Sequence, residues 1–109
     1  MATTYKVLGQ SNPAAITNTN LYTVPASTAT VVSTITVCNQ TAVAATFRIA
    51  VRPVGATLAA QHYVAYDVAV GAADTTALTL GITVATTDII TVYASTATLS
   101  FSAFGSEIA

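Results

Sequence analysis

The chain has 109 residues, of which 53% are hydrophobic and only 6% are charged, and its formal net charge is -1. That length accommodates one core and one domain. The charge is too small to attract nucleic acid or an anionic membrane surface. Ser and Thr interrupt every apolar stretch before it reaches the ~18–20 residues that span a bilayer. We therefore expect neither a nucleic-acid partner nor a membrane partner.

Short strand-like segments rich in Thr, Val and Ile follow one another along the chain, each ending near Gly, Pro, Asn, Asp or Ser. No sustained 3.6-residue apolar stripe indicates a helix. The pattern predicts strands at 4–8, 20–24, 30–38, 46–52, 62–70, 75–80, 88–94 and 98–104. Residues 55–61 are predicted to form a loop or one helical turn. About eight short strands predict a single all-β domain over residues 1–109, an antiparallel β-sandwich or jelly-roll-like fold.

Alternation within the strands assigns side chains to the two faces of a sheet. In the third predicted strand, Val31, Ile35 and Val37 are expected on one face. In the fifth, Tyr66 and Val68 are expected on the same face.

Two arginines on the fourth predicted strand are the charged residues of greatest interest. Arg48 and Arg52 are four residues apart and project to one face, opposite Phe47. Facing Asp67 or Glu107, in the same chain or in a neighbour, they could form bidentate pairs that fix orientation. The alternative, which we favour at this point, is that they only solvate the outer face.

Residues that carry out chemistry are sparse. The chain has a single histidine, His62, and a single cysteine, Cys38, while Asp74 and Asp88 fall at turn positions. No ligand spacing, nucleophile elbow or phosphate-binding loop is present. We expect no enzymatic activity, no cofactor and no metal. His62 is expected to pack or form a hydrogen bond near a loop, and Cys38 to be a buried, inert thiol.

The surface is expected to be covered mainly by uncharged side chains, because no Asp, Glu, Lys or Arg occurs between Lys6 and Arg48. Such a surface suits burial against other subunits, since desolvating Thr and Ala costs less than desolvating charge. A secreted or surface-layer protein is the alternative. The termini, 1–10 and 104–109, are predicted contact arms, the apolar C-terminal end being pinned on its own sheet or on a neighbour. Candidate intersubunit contacts are Tyr5, Lys6, Arg48, Arg52, Leu99, Phe101, Phe104, Glu107 and Ile108.

Four stretches together resemble small virion structural proteins of tailed bacteriophages, including phages of cyanobacteria. They are YKVLGQ (5–10), LYTVP (21–25), FRIAVRP (47–53) and LSFSAFGSEI (99–108). The resemblance extends in order over almost the whole chain. It implies a β-sandwich present in many copies on the particle, with no catalytic residues.

This resemblance makes a capsid decoration or cement protein the leading expectation. The expected partners are copies of the chain, as a trimer by analogy with capsid three-fold sites, and major capsid or other virion proteins. A neck, tail or baseplate component is an alternative. The N-terminal segment lacks the pattern of a signal peptide, so we expect assembly into a virion in the host cytoplasm. A host-surface carbohydrate-binding sandwich is another alternative, and the tyrosines at 22, 63, 66 and 93 could line its groove.

Overall fold

The computed structural model describes residues 2–109, and these residues form a β-sandwich, as predicted. Two single 3₁₀ turns, Pro53–Gly55 and Ala60–His62, lie in the connection between the fourth and fifth strands. The strands are β1 (Thr3–Ser11), β2 (Thr19–Thr23), β3 (Ala29–Asn39), β4 (Ala45–Arg52), β5 (Tyr63–Val70), β6 (Thr75–Leu78), β7 (Ile82–Val84), β8 (Ile89–Ala94) and β9 (Leu99–Ile108).

The strands form two antiparallel sheets. Sheet A has the order β1-β9-β3-β6, with β7 also pairing with β3, and sheet B has the order β2-β8-β4-β5. The C-terminal strand β9 therefore lies inside sheet A, with β1 on one side and β3 on the other. Sheet A cannot be completed until the last strand of the chain is in place.

The core lies between the two sheets and is formed by the inward side chains of both. Phe47 of sheet B meets Phe101 of sheet A edge-to-face, with ring centroids 6.1 Å apart, and neither ring is exposed to solvent. Burying a side chain of this size stabilises the fold by about 1.5–3 kcal/mol. Other large side chains that are fully buried are Ile35, Ile49, Ile90, Leu99, Val24, Val32, Val37, Val70 and Val92.

The predicted contact arms are strands of sheet A, so the interpretation as arms was wrong. Residues 3–11 pair along β9, and residues 99–108 have a hydrogen-bonded neighbour on each side. Ala2 and Ala109 exchange two backbone hydrogen bonds of 2.8 and 2.9 Å at the end of the β1–β9 ladder. Of the two alternatives for the apolar end, its own sheet or a neighbouring subunit, the structure shows the first.

A register shift in β3 changes which valine faces the core. The pairing of β3 with β9 is irregular between Val32 and Thr34, so the inward side changes phase there. Val32 is buried before the shift and Ile35 after it, whereas Val31 lies on the outer face. The prediction that Val31 shares a face with Ile35 was therefore wrong.

A second irregularity turns Tyr66 outward. Ile49 pairs with Ala65 and Phe47 with Val68, so β5 has one more residue than β4 between these pairs. Asp67, with φ of +50°, lies in this bulge. Val68 then faces the core while Tyr66 joins the outer face, contrary to the prediction that the two share a side.

Two strand limits also differ from the sequence prediction. β7 lies inside the predicted link 81–87, and β1 continues past Gly9, where a strand end was expected. At Gly9 the backbone passes so close to β2 that a Cβ atom would overlap the carbonyl oxygen of Leu21. Glycine at this position therefore permits close approach of the two sheets.

Candidate functional site

Two of the predicted intersubunit contacts belong to the core. Leu99 and Phe101 have no exposed surface, because the inward positions of β9 alternate from Leu99 through Phe101 to Ala103. Their side chains stabilise the sandwich and cannot reach another folded chain, so this part of the prediction was wrong. Phe104 and Ile108 lie on the opposite, outer side of β9 and are partly exposed.

The outer side of sheet A is a nearly uncharged surface, which we call the sheet A face. At its β1 edge, Tyr5 is 84% exposed and Val7 is exposed as well. These two side chains, with Val31, Ser33 and Phe104, line a shallow depression. Further members of the face, assigned by strand alternation, are Thr34, Thr36, Cys38, Ser100, Ser102, Ser106 and Ile108.

Charge approaches this face only at its rim. Among the described residues that line the depression, Lys6 alone is charged, and its Nζ lies 3.2 Å from Oε1 of Glu107. Cys38 is part of the face and is half-buried, so the expectation of a buried thiol was wrong. Alternation with the inward-facing Ile35 and Val37 places Cys38 on the outer side, beside Ser100 of β9.

A polar cluster joins the two sheets beneath the rim. The Tyr22 hydroxyl lies 2.5 Å from Oε2 of Glu107 and 2.8 Å from Oγ1 of Thr30. Since the phenolic proton goes to the carboxylate, the Thr30 hydroxyl donates to Tyr22. With Lys6 on the other carboxylate oxygen, three strands of sheet A are tied to β2 of sheet B.

The cluster sets the ionisation of its two central groups. Burial, followed by the hydrogen bond to Glu107, raises the pKa of Tyr22 to about 12. The hydrogen bond from Tyr22 is the main cause that lowers the pKa of Glu107, with a further contribution from Lys6. Sequence reasoning did not find this cluster, although a lone carboxylate in an apolar strand indicates that a partner is needed.

The outer side of sheet B, the sheet B face, carries a charged and aromatic cluster. Arg48 donates from Nε to Oδ1 of Asp67 at 2.6 Å and from Nη2 to Oδ2 at 3.3 Å. Its guanidinium carbon lies 4.1 Å from the ring centroid of Tyr66 and 4.4 Å from that of Tyr93. The hydrogen bond to Asp67 raises the pKa of Arg48. Arg48 therefore forms a bidentate pair within the chain, and simple solvation was the wrong interpretation.

Arg52 is also bound within the sheet. Its guanidinium donates to Oγ1 of Thr91 at 2.9 Å, to Oδ1 of Asn20 at 2.9 Å and to the carbonyl of Ala56 at 3.1 Å. These contacts join β2, β4 and β8 to the loop that follows β4. Neither arginine is left for a bidentate pair with a second chain.

Next to the Arg48 cluster, a groove opens between β5 and two loops. Its lining residues are Asn18, Leu58, Ala59, Ala60, Tyr63 and Tyr66, and its volume is about 710 Å³. The rings of Tyr63 and Tyr66 meet edge-to-face with centroids 4.9 Å apart. Tyr22 lies away from the groove, in the core cluster, so three of the four tyrosines considered for a sugar site gather on the sheet B face.

The remaining acids and the histidine stabilise loops. Asp88 accepts hydrogen bonds from the backbone of Val54 and Ala85, both at 2.8 Å, and Asp74 accepts one from Thr75. Nδ1 of His62 accepts a hydrogen bond from the backbone of Ala59 at 3.0 Å, as expected for a loop histidine. Within residues 2–109, no group of three or more His, Cys, Asp or Glu side chains could hold a metal ion. The same residues contain no helix long and apolar enough to cross a membrane.

No protein-family model, curated protein or solved structure matches the chain. A functional conclusion therefore depends on the composition of the chain and on the geometry of its two outer faces. The sheet A face offers uncharged contact area beside a strand edge, and the sheet B face offers a groove with aromatic walls.

Proposed function

We propose that this chain is a non-enzymatic structural protein of a tailed-bacteriophage virion, a decoration or cement protein that binds the capsid and stabilises the head. The observation that carries the proposal is the sheet A face, with its exposed Tyr5 and Val7 and its rows of Ser and Thr. The proposed partners are further copies of the chain, as a trimer, and the major capsid protein. Assembly takes place in the host cytoplasm.

The chemistry of the sheet A face favours contact with protein. Burying Thr, Ser, Val and Phe against a partner removes no charge from water, so the desolvation cost stays small. Tyr5 supplies a large amphipathic side chain of the kind that is enriched in protein interfaces. In a monomer that remained alone in solution, charged residues would normally interrupt such a surface.

The β1 edge offers a second mode of contact. Among the described strands, β1 pairs only with β9, which leaves its other edge without a ladder. An exposed edge can accept a strand from another chain through backbone hydrogen bonds. Since Tyr5 and Val7 project beside this edge, strand pairing and side-chain contact would stabilise the same interface.

A structural role also accounts for the charged residues. Lys6, Arg48 and Arg52 are each engaged by side chains of the same chain, and the four acids act as their partners or accept backbone hydrogen bonds in turns. Catalysis by paired carboxylates requires two acidic groups that share a site. The acids of this chain each serve a separate structural contact.

The same surfaces would suit a neck, tail or baseplate component, which is the alternative location. The two locations differ in copy number. A decoration protein follows the capsid lattice in hundreds of copies on the head, whereas a neck or tail component forms a small ring.

Cryo-electron microscopy of particles of the phage that encodes this chain tests both locations. Density over the capsid lattice, with the copy number counted by quantitative mass spectrometry, would support the decoration role. A small ring at the neck or tail would overturn that role in favour of the alternative. Particles that lack the protein would overturn the virion proposal.

The variant Tyr5→Lys tests the sheet A face itself. Because Tyr5 is 84% exposed, the substitution should leave the fold intact while placing a charge in the proposed interface. We expect incorporation into particles to fall at least tenfold, measured by immunoblot of purified virions. The matched control is Val43→Lys in the loop between β3 and β4, where the side chain is 70% exposed. Normal incorporation of both variants would exclude this face.

A further inference from the structure

We propose that the groove on the sheet B face is a binding site for a neutral oligosaccharide, independent of the contacts made by the sheet A face. Its walls are the side chains of Tyr63 and Tyr66 on one side and the loop 58–60 and Asn18 on the others. The proposal assigns a ligand class to the part of the molecule that the virion role leaves without a function.

The first argument is the pairing of aromatic and polar groups in the groove. A tyrosine ring offers an apolar face to the C–H groups of a sugar and a hydroxyl to its oxygen atoms. Asn18 and Tyr66 are exposed and Tyr63 is half-buried, and all three line the groove with polar groups, one side-chain amide and two hydroxyls. These groups remain available to donate to a ligand and to accept from it.

The second argument is that the exposed ring is held in position before any ligand arrives. Tyr66 is 56% exposed, yet it is fixed by the Arg48 guanidinium 4.1 Å from its centroid and by the Tyr63 ring at right angles to it. Arg48 is in turn fixed by its bidentate pair with Asp67. A ring that is already ordered loses little conformational entropy on binding.

The opposite wall is also ordered. His62 accepts a hydrogen bond from the backbone of Ala59 and donates its own backbone N–H to the Ala59 carbonyl at 3.1 Å. This tight turn holds Leu58, Ala59 and Ala60 against the groove. His62 is thus a positioning residue, and it does not line the groove itself.

The third argument concerns charge and indicates a neutral ligand. The described lining residues are all uncharged. The guanidinium of Arg48 beside Tyr66 is paired with Asp67, and that of Arg52 is engaged by Thr91, Asn20 and the carbonyl of Ala56. A sialylated or sulfated glycan would find no free cation here. A neutral sugar would bind through the rings and hydroxyls of Tyr63 and Tyr66 and the side-chain amide of Asn18.

The first experiment is ligand-observed saturation-transfer NMR on the purified chain, with a panel of neutral oligosaccharides at millimolar concentration, followed by a glycan array for breadth. The same panel contains sialylated and sulfated glycans. We expect saturation of neutral sugars, with the C–H protons of one ring face receiving most of it. Absence of saturation for every neutral sugar, or binding of anionic glycans alone, would overturn the proposal.

Three variants locate the site. Tyr66→Ala removes the stacking surface and should weaken binding by about tenfold or more. Asn18→Ala should weaken it by about threefold to tenfold, the effect of one hydrogen bond, and it leaves the fold undisturbed because this exposed side chain has no partner in the chain. Tyr5→Ala, on the other sheet, is the matched control and should bind normally. Binding that survives both Tyr66→Ala and Asn18→Ala would place any sugar elsewhere and overturn the assignment.

Discussion

The two outer faces of the sandwich use the same kind of strand in different ways. The sheet A face is composed of Ser, Thr, Val, Phe and Tyr side chains, with charge only at its rim. The sheet B face carries Arg48, Arg52 and Asp67 together with three tyrosines. On sheet B each of these charges is bound by a neighbour in the same chain.

This difference shows where the few charges of the chain are used. Instead of solvating the surface, the arginines tie β4 to β5, β2 and a loop, and Lys6 ties β1 to β9. Both faces are therefore poor in unengaged charge, but for different reasons: sheet B engages Arg48 in an ion pair and Arg52 in hydrogen bonds to neutral groups, and sheet A has almost no charge. A surface with almost no charge, such as the sheet A face, is suited to contact over a large area. A surface whose charged side chains are held by neighbours, such as the sheet B face, is suited to a small, ordered site.

The largest effect is expected from shortening the strand at the centre of sheet A. Deleting residues 105–109 removes four of the ten residues of β9 and leaves residues 3–6 of β1 and 29–32 of β3 without their common neighbour. Since a domain of this size is stable by only about 5–15 kcal/mol, we expect the variant to be unfolded at 25 °C. Far-UV circular dichroism and urea titration measure this.

Removing only Ala109 is the control for this deletion. Ala109 follows the end of β9 and contributes two backbone hydrogen bonds with Ala2, so that variant should remain folded. A folded 105–109 deletion with a normal urea midpoint would mean that these residues add nothing to sheet A. They would then act as the contact arm that the sequence predicted.

The failed arm prediction illustrates what alternation in a sequence determines and what it does not. The period-2 pattern located eight of the nine strands and placed Phe47 and Ile49 in the core. It does not encode sheet order, because any strand with one apolar face can take a central or an edge position. The central place of β9 depends on pairings with residues about 70 and 100 positions earlier in the chain.

Bulges account for most of the remaining errors. One unpaired residue changes the face of every side chain beyond it. For this reason Val32, and not Val31, shares the core face with Ile35, and Tyr66 lies on the outer face. The bulge in β5 has no glycine to mark it in the sequence, and the irregularity in β3 has its glycine, Gly105, on the neighbouring strand β9. The candidate groove could not be predicted for the same reason, since Tyr63 and Tyr66 share a face only because of a second register shift, between the pairs Ile49–Ala65 and Ala50–Tyr63.

An intermediate effect is expected at the Tyr22 cluster, which joins the two sheets. Tyr22→Phe removes a hydroxyl that bonds Glu107 and Thr30, and the loss should cost about 1–3 kcal/mol of unfolding free energy at neutral pH. The measurement is chemical denaturation of both proteins under identical conditions. A cost within error of zero would show that the cluster does not couple the sheets.

The pH dependence of stability identifies the groups involved. The pKa of Tyr22 is raised to about 12 in the fold from its ordinary 10.0, so its contribution is complete below pH 10 and is lost as pH rises toward 12. The pKa of Glu107 is lowered, so its contribution is complete above the ordinary Glu pKa of about 4.3 and is lost as pH falls below it. Tyr22→Phe should remove the alkaline loss, and Glu107→Gln should reduce the acid loss. Unchanged alkaline and acid losses would assign them to other groups.

The smallest effect, close to none, is expected when salt is added to the protein in the self-associated state that we propose. Contacts through the sheet A face involve almost no charge, so the sedimentation coefficient at a fixed protein concentration should not fall between ~0.01 and 1 M NaCl, although the Debye length shortens from about 30 to 3 Å. Association through charged groups of the sheet B face, where Arg48 and Asp67 are partly exposed, would instead weaken as salt screens charges across the interface. Dissociation by salt would therefore contradict an interface on the sheet A face and assign it to the sheet B face. Persistence in salt, together with loss of association in Tyr5→Lys, would assign the interface to the sheet A face.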